Sequence, residues 1–139
     1  MKKIISLLIL TLFFAGASCK KKTASAGVDP RVPPDMAFKT TSAYVYKDTT
    51  VSKQDTLLIG VIMTKTEDNL TNFNASVSYD GSTTTNTFFN HHLSSSEYGG
   101  YTVDVNYYCR NQTGTELLTF TIVDRDGNIT KKTIKVTVI

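Results

Sequence analysis

The feature that most constrains the fold of this chain is a strict alternation of apolar and polar residues in several short segments. In NFNASVSY, residues 72–79, every second residue from Phe73 to Tyr79 is apolar or aromatic, and the residues between them are Asn or Ser. This period places the two sets on opposite faces of an extended strand and predicts antiparallel sheets with one buried face. The same alternation gives three further inward sets: Tyr101, Val103, Val105, Tyr107 and Cys109; Leu118, Phe120 and Ile122; Ile134, Val136 and Val138.

Turn-forming residues divide the chain into about seven predicted strands. The segment TLLIGVIM, residues 56–63, is apolar on both faces, which favours a central strand. About seven strands in ~100 residues are typical of an antiparallel, all-β, immunoglobulin-like sandwich, and a small β-barrel is the alternative. Several strands are separated by the pairs Asp80-Gly81, Gly99-Gly100, Thr113-Gly114 and Asp126-Gly127. The predicted strands are residues 36–46, 56–65, 72–79, 84–89, 101–110, 117–124 and 129–138.

Two stretches of the chain resemble known β-modules. GTELLTFTIVDRDGNITKKTIKVTV, residues 114–138, resembles the final hairpin of bacterial immunoglobulin-like modules, including the PKD and cadherin-like groups. TLLIGVIMTKTEDNLTNFNASVS, residues 56–78, is similar to the earlier core hairpin of such modules in lipoproteins of the Bacteroidetes. Because the likeness is one of strands and turns, it implies a fold and no particular activity.

The N-terminus has the pattern of an export signal. Met1-Lys2-Lys3 precedes an apolar run of about 15 residues, which is shorter than the ~20 that a membrane-spanning helix needs. This pattern predicts a cleaved signal peptide of residues 1–18, with an uncleaved anchor as the alternative. The residues Gly16-Ala17-Ser18-Cys19 resemble the lipobox of bacterial lipoproteins. The resemblance implies cleavage before Cys19 and attachment of several acyl chains there, which is sufficient for stable membrane anchoring.

Residues 19–34 are predicted to form a lipidated, flexible tether, followed by a domain of residues 35–139. The segment KKKTASAGVDPRVPP has no apolar periodicity and ends in two prolines. The chain has 15 Lys and Arg and 12 Asp and Glu, but Lys2, Lys3 and Lys20–Lys22 all precede the domain. The domain therefore lacks the basic surface that nucleic-acid binding requires, and the membrane is the predicted partner of the N-terminus.

The lysines after Cys19 also bear on location. In the Bacteroidetes lipoproteins that this chain resembles, export to the cell surface goes with acidic residues directly after the lipidated cysteine. Lys20–Lys22 depart from that pattern. The resemblance therefore implies a cell-envelope protein anchored to the outer membrane, and it favours the periplasmic face over the cell surface.

The sequence predicts no enzyme, no cofactor and no metal site. It has no GxSxG-type nucleophile motif, and its carboxylates are too scattered to nominate an acid and base pair. His91 and His92 are predicted to be exposed loop residues, since neighbours on a strand point to opposite faces and do not bind one metal ion. Cys109 has no intrachain partner if Cys19 is lipidated, so it is predicted to be a small buried residue without a reactive thiol.

The oxygen-rich segment DRDGN, Asp124–Asn128, has two interpretations. A full calcium-binding loop of the EF-hand type needs an acidic residue at its twelfth position, and the residue there is Lys135. A tight hairpin turn explains the same residues, and a weak shared calcium site stays open.

The predicted function is that of a membrane-anchored, non-enzymatic interaction or spacer module of the cell envelope, with an envelope protein or a glycan as partner. The alternative is glycan binding through the exposed tyrosines Tyr98 and Tyr108, which together with Tyr101 are predicted to lie around Gly99-Gly100. The tripeptides that contain Thr49 and Thr56, DTT and DTL, resemble a short O-glycosylation signal of exported Bacteroidetes proteins.

Overall fold

The computed structural model of the protein describes residues 31–139, and these residues form eight β-strands. The predicted signal peptide, Cys19 and the first part of the predicted tether lie outside the described residues. No helix that would reach across a bilayer occurs within residues 31–139. In chain order the strands are β1 (Asp35–Phe38), β2 (Thr49–Val51), β3 (Thr56–Thr64), β4 (Leu70–Tyr79), β5 (Asn86–His92), β6 (Gly100–Tyr108), β7 (Gly114–Asp124) and β8 (Ile129–Val138).

The strands form two sheets of unequal width. The narrow sheet has three strands in the order β1-β3-β6, and the wide sheet has five in the order β2-β8-β7-β4-β5. Neighbouring strands are antiparallel, except that β2 pairs in parallel with β8. This strand order is that of an immunoglobulin-like β-sandwich. The predicted fold class is therefore confirmed, and the barrel alternative is wrong because the strands form two separate sheets.

The core lies between the sheets and includes most of the residues that the alternation assigns to the inner faces, together with residues of β1 and β3 that it does not assign. Phe120 of β7 makes edge-to-face contacts with Phe38 of β1 and Phe88 of β5, at ring-centroid distances of 5.2 and 6.4 Å. Burying such side chains supplies the main stabilising free energy of a small domain. The largest fully buried apolar side chains are Phe73, Phe120, Met36, Ile59, Met63, Leu70, Leu118, Ile122, Ile134, Val61 and Val136.

The first predicted strand, residues 36–46, is too long. Regular pairing ends at Phe38, and the chain then follows β3 through two isolated backbone hydrogen bonds, from Lys39 N to Gly60 O (2.8 Å) and from Val45 N to Leu58 O (2.9 Å). The Lys39 side chain lies directly over Gly60, where any Cβ would collide with it. The chain then crosses to the wide sheet and forms β2, whose three residues are too few to show an alternation.

The N-terminal segment joins the sandwich at one end, which we call the tether end. The hydroxyl of Thr66 donates to the carbonyl oxygens of Val32 (3.1 Å) and Pro33 (3.0 Å), and the hydroxyl of Thr130 donates to the carbonyl oxygen of Pro34. Strands β4 and β8 begin at this end and terminate at the opposite end, which we call the distal end. The distal end carries the connections of residues 52–55, 80–85 and 109–113.

At the distal end the chain turns at Asp80-Gly81, as predicted. Both residues have positive φ, 52° and 78°, and Ser82 N donates to Tyr79 O at 2.8 Å. Asp and Gly adopt this backbone region at lower cost than other residues.

Replacing Phe120 by Ala is expected to lower the free energy of unfolding by about 3–5 kcal/mol, because it leaves a cavity between the sheets. The matched control is Leu117→Ala in the same strand, since Leu117 lies on the outer face and is 38% exposed. This variant should change stability by no more than about 1 kcal/mol. Urea denaturation of both variants tests this, and similar losses for the two would contradict the assignment of faces.

Candidate functional site

The unequal sheets leave a groove on one side of the sandwich. Strand β5 is the edge of the wide sheet and β6 is the edge of the narrow one. Between them, towards the distal end, lies an open cavity of about 390 Å³. We call it the edge groove, and its lining residues are Val77, Tyr79, Asn86, Thr87, Phe88, Asn106, Tyr107 and Tyr108.

A β-bulge in β5 brings an additional aromatic ring into the edge groove. The pairing with β4 shifts between Ala75, which faces Phe89, and Ser76, which faces Thr87, so Phe88 has no partner of its own. In a regular strand Phe88 and Phe89 would point to opposite faces. Here Phe89 contacts Phe73 (5.8 Å between ring centroids), and Phe88 contacts Tyr107 across the groove (4.8 Å). Bulges at sheet edges commonly redirect a side chain in this way.

A buried carboxylate lies beneath the groove. Glu116 of β7 has an exposed fraction of 0%. Its Oε2 accepts a hydrogen bond from the Tyr107 hydroxyl (2.8 Å), and its Oε1 accepts one from Arg110 N (3.1 Å). Arg110 Nε lies 3.3 Å from the same Oε1 without hydrogen-bond alignment, so this contact is an ion pair. The carboxylate is therefore compensated, as a buried charge must be.

Arg110 extends this cluster to the distal turn. Its Nη2 donates to Asp80 Oδ1 (2.6 Å), which also accepts Thr115 N (2.8 Å), and its guanidinium lies over the Tyr79 ring at 4.8 Å. Gly114 has φ of +149°, and a Cβ at that position would collide with both partners of the Arg110–Asp80 pair. The ion pair thus holds Tyr79, on the groove wall, in a fixed orientation.

The surroundings of the groove shift the pKa of Tyr107, Asp80 and Cys109. Burial and the hydrogen bond to Glu116 raise the pKa of Tyr107, and Arg110 lowers the pKa of Asp80. Burial, followed by the charge of Glu116, raises the pKa of Cys109 to about 11. A thiol with this pKa is protonated at neutral pH. The prediction that Cys109 is a small buried residue is confirmed.

Of the two tyrosines predicted to bind a glycan, only Tyr108 lines the groove. Tyr108 is 71% exposed at the distal end of β6. Tyr98 precedes β6 at the tether end, where its carbonyl oxygen accepts Leu70 N (3.0 Å) and its side chain packs on the core. The length of β6 separates them by about 26 Å, at ~3.3 Å per residue. Tyr98 and Tyr108 therefore do not lie around one turn and do not form a single platform.

The histidines are not in a loop, because they are the last two residues of β5. His91 Nε2 lies 3.1 Å from Glu97 Oε1, and its ring stacks on that of Tyr101 at 4.6 Å. Glu97 also accepts Ser94 N (2.7 Å) and the Ser94 hydroxyl (2.8 Å), and these bonds lower the pKa of Glu97. His92 is exposed on the other face. Within residues 31–139 no three His, Cys, Asp or Glu side chains are grouped as metal ligands.

The segment from Asp124 to Asn128 forms the predicted tight turn. Asp124 Oδ1 accepts the backbone N–H groups of Asp126 (3.0 Å) and Asn128 (2.8 Å), and its Oδ2 accepts Asn128 Nδ2 (3.0 Å). Gly127 has φ of +83°. Both carboxylate oxygens of Asp124 are thus bound to the turn itself.

The two threonines of the predicted O-glycosylation signals lie on different sheets, Thr49 in the edge strand β2 of the wide sheet and Thr56 in the central strand β3 of the narrow sheet. Thr49 is half-buried at the start of β2, and Thr56 is exposed at the start of β3.

Comparison with known proteins finds similarity to solved structures. No family model matches the chain, and no curated protein matches it. Among solved structures, the PKD domain of an M14-like peptidase from a Thermoplasmatales archaeon is 13% identical and covers 76% of this chain and 92% of its own, with a TM-score of 0.45. Murine CRIg is 15% identical and covers 78% of this chain and 99% of its own, with a TM-score of 0.42. The fold assignment rests on the strand order of the chain itself.

The sequence did not predict that most of the residues lining the edge groove lie together in one site. Glu116 lies two residues before Leu118, so extending the alternation by one step would have placed it on the inner face. The contact between Tyr79 and Arg110 depends on how distant segments of the chain pack together. The bulge at Phe88 depends on the register of β5 against β4. No local sequence pattern indicates either feature.

Replacing Arg110 by Ala is expected to lower the free energy of unfolding by about 2–4 kcal/mol, because the buried Glu116 would lose its compensating cation and the hydrogen bonds of its surroundings would be disturbed. The double variant Arg110→Ala with Glu116→Gln should recover much of this loss, since it removes the charge. Arg125→Ala is the control, because Arg125 is 63% exposed and its ion pairs contribute about 1 kcal/mol or less. Chemical denaturation distinguishes these outcomes, and no recovery in the double variant would contradict the role of Glu116.

Proposed function

We propose that the protein is a lipid-anchored lipoprotein of the cell envelope whose immunoglobulin-like domain is a non-enzymatic interaction module. The observation that carries this proposal is the arrangement of the two ends of the domain. The segment that leads back towards Cys19 joins the tether end, and the edge groove opens towards the distal end. A binding surface at that position faces away from the membrane to which the chain is tethered.

The dimensions are consistent with such a tether. Val32, Pro33 and Pro34 are bound to the domain, and a flexible chain with the length of the preceding segment, residues 19–31, would span an r.m.s. distance of about 18–22 Å. The groove lies roughly 25 Å further along the strands, at ~3.3 Å per residue. The domain would therefore hold its groove some tens of ångströms from the lipid headgroups, within reach of partners in the envelope.

A non-enzymatic role is supported by how the carboxylates nearest the two ends are used. Glu116 is enclosed by Tyr107 and Arg110, Asp80 binds Arg110 and Thr115, and Glu97 binds Ser94 and His91. Each is engaged in fixing a loop or a neighbouring side chain. A general acid or base must instead reach the proton of a bound substrate.

We place the protein at the periplasmic face of the outer membrane. The support is the basic triplet Lys20–Lys22 directly after Cys19, where surface-exported lipoproteins of the resembling group carry acidic residues. Lysines at this position also interact favourably with anionic headgroups, by roughly 1 kcal/mol each.

Lipid attachment is tested by detergent phase partition and intact-mass measurement of the protein from bacterial membranes. The wild-type protein should enter the detergent phase and carry the added mass of acyl chains, and Cys19→Ala should stay in the aqueous phase. Cys109→Ala is the matched control and should partition like the wild type, because the chain has two cysteines and Cys109 is buried in the domain. A wild-type protein without lipid mass would refute the anchor.

The location is tested by protease treatment of intact cells, followed by detection of the domain. The protein should be protected until the outer membrane is permeabilised. Replacing Lys20–Lys22 by acidic residues is expected to increase the fraction cleaved in intact cells. Full cleavage of the wild-type protein in intact cells would place it on the cell surface instead.

A further inference from the structure

We propose that the edge groove is a binding site for a neutral carbohydrate chain, with Tyr108 as the residue on which a sugar ring stacks. This inference rests on the proposed function, because it names the ligand of the interaction module. Its first support is the composition of the lining. Four of the eight lining residues are aromatic, and none of the eight carries a formal charge at neutral pH. A cavity of about 390 Å³ falls within the ~300–1,000 Å³ typical of small-ligand sites.

The arrangement of polar and aromatic groups fits a sugar. Tyr108 stands exposed at the rim, and Asn86 and Asn106, also exposed, line the groove from the two facing strands. The apolar C–H face of a pyranose ring packs on an aromatic ring, and its hydroxyls exchange hydrogen bonds with side-chain amides, which both donate and accept. A groove with amides on both walls and a ring at its rim offers these contacts together.

The floor of the groove is fixed before any ligand arrives. Tyr107 donates to the buried Glu116 and packs against Phe88, which the bulge in β5 directs inwards. Tyr79 is held by the guanidinium of Arg110. Fixed rings lose little conformational entropy on binding, so a weakly interacting ligand such as a neutral sugar gains affinity.

Two other ligand classes fit the groove less well. An extended peptide that adds a strand needs a regular, free sheet edge. The bulge at Phe88 interrupts that edge on β5, and bulges of this kind hinder edge pairing, so a peptide strand could add only on the β6 side of the groove. An acidic ligand needs a cation in the groove, but Arg110, the cation nearest the lining tyrosines, is paired with Asp80 and Glu116.

The test uses the full-length protein in detergent on an array that carries neutral oligosaccharides (β-glucan, xylan, mannan and galactan fragments), polyuronic oligosaccharides and a set of extended peptides. We expect binding to at least one neutral series. Tyr108→Ala should weaken that binding by about five- to tenfold, the usual value of one aromatic contact. Tyr108→Phe should retain it, because the ring is kept. Asn106→Ala should weaken it as well.

Tyr46→Ala is the control variant, because Tyr46 is an exposed tyrosine outside the groove, in the connection between β1 and β2. Tyr46→Ala should bind like the wild type. The thermal unfolding of Tyr108→Ala should match that of the wild type, which verifies that this variant keeps its fold. No binding to the neutral series, preferential binding to polyuronic chains or peptides, or neutral binding that survives Tyr108→Ala would each overturn the proposal. Detergent partition of the same samples tests the lipid anchor separately, so an absence of binding on the array would not contradict the proposed anchor.

Discussion

A sheet of three strands does not cover a sheet of five, and this difference in width determines where the sandwich is closed and where it is open. Between the central strands, the apolar faces meet and exclude water. At one side, β5 extends beyond the cover that β6 provides. A regular strand there would leave half of its side chains directed into solvent. The bulge at Phe88 instead turns two consecutive phenylalanines inwards, which shields the core and at the same time lines the groove with an aromatic ring.

The same open side explains why a charged residue is tolerated in the interior. Glu116 occupies an inward position of β7 at the distal end, where the apolar packing gives way to the connection of residues 109–113. Arg110 in that connection reaches back over the carboxylate and binds the turn at Asp80. One buried charge therefore ties the hairpin of β6 and β7 to the turn at Asp80, which is 30 residues from Arg110 in sequence. The fixed position of Tyr79 and Tyr107 follows from that cluster, and the shape of the groove follows from those rings.

The sequence was sufficient to predict which face of a strand is buried, but it did not predict which strands lie next to each other. The period of two identified Phe73, Phe120 and Val136 as core residues, because burial on a sheet is a local property of the strand. Tyr98 and Tyr108 show the limit of such reasoning. They are ten positions apart in sequence and lie at opposite ends of a strand, while Tyr79 and Tyr108, much further apart in sequence, line one groove. Which residues meet depends on the pairing of strands that are distant in the chain, and alternation contains no information on pairing. The early end of the first strand at Phe38 and the crossing of the chain to β2 were not predicted for the same reason.

The position of the tether has a mechanical consequence. A ligand held in the groove and an anchor attached beyond Pro34 would pull on opposite ends of the sandwich, along the direction of the strands. Hydrogen bonds in an antiparallel ladder are perpendicular to the strands, so such a force shears whole rows of bonds together instead of peeling them apart singly. Nine residue pairs join β6 to β3, but only four join β3 to β1. If the chain is anchored as proposed, strand β1 would be the weakest link between a captured ligand and the membrane, and it would detach before the rest of the domain yields.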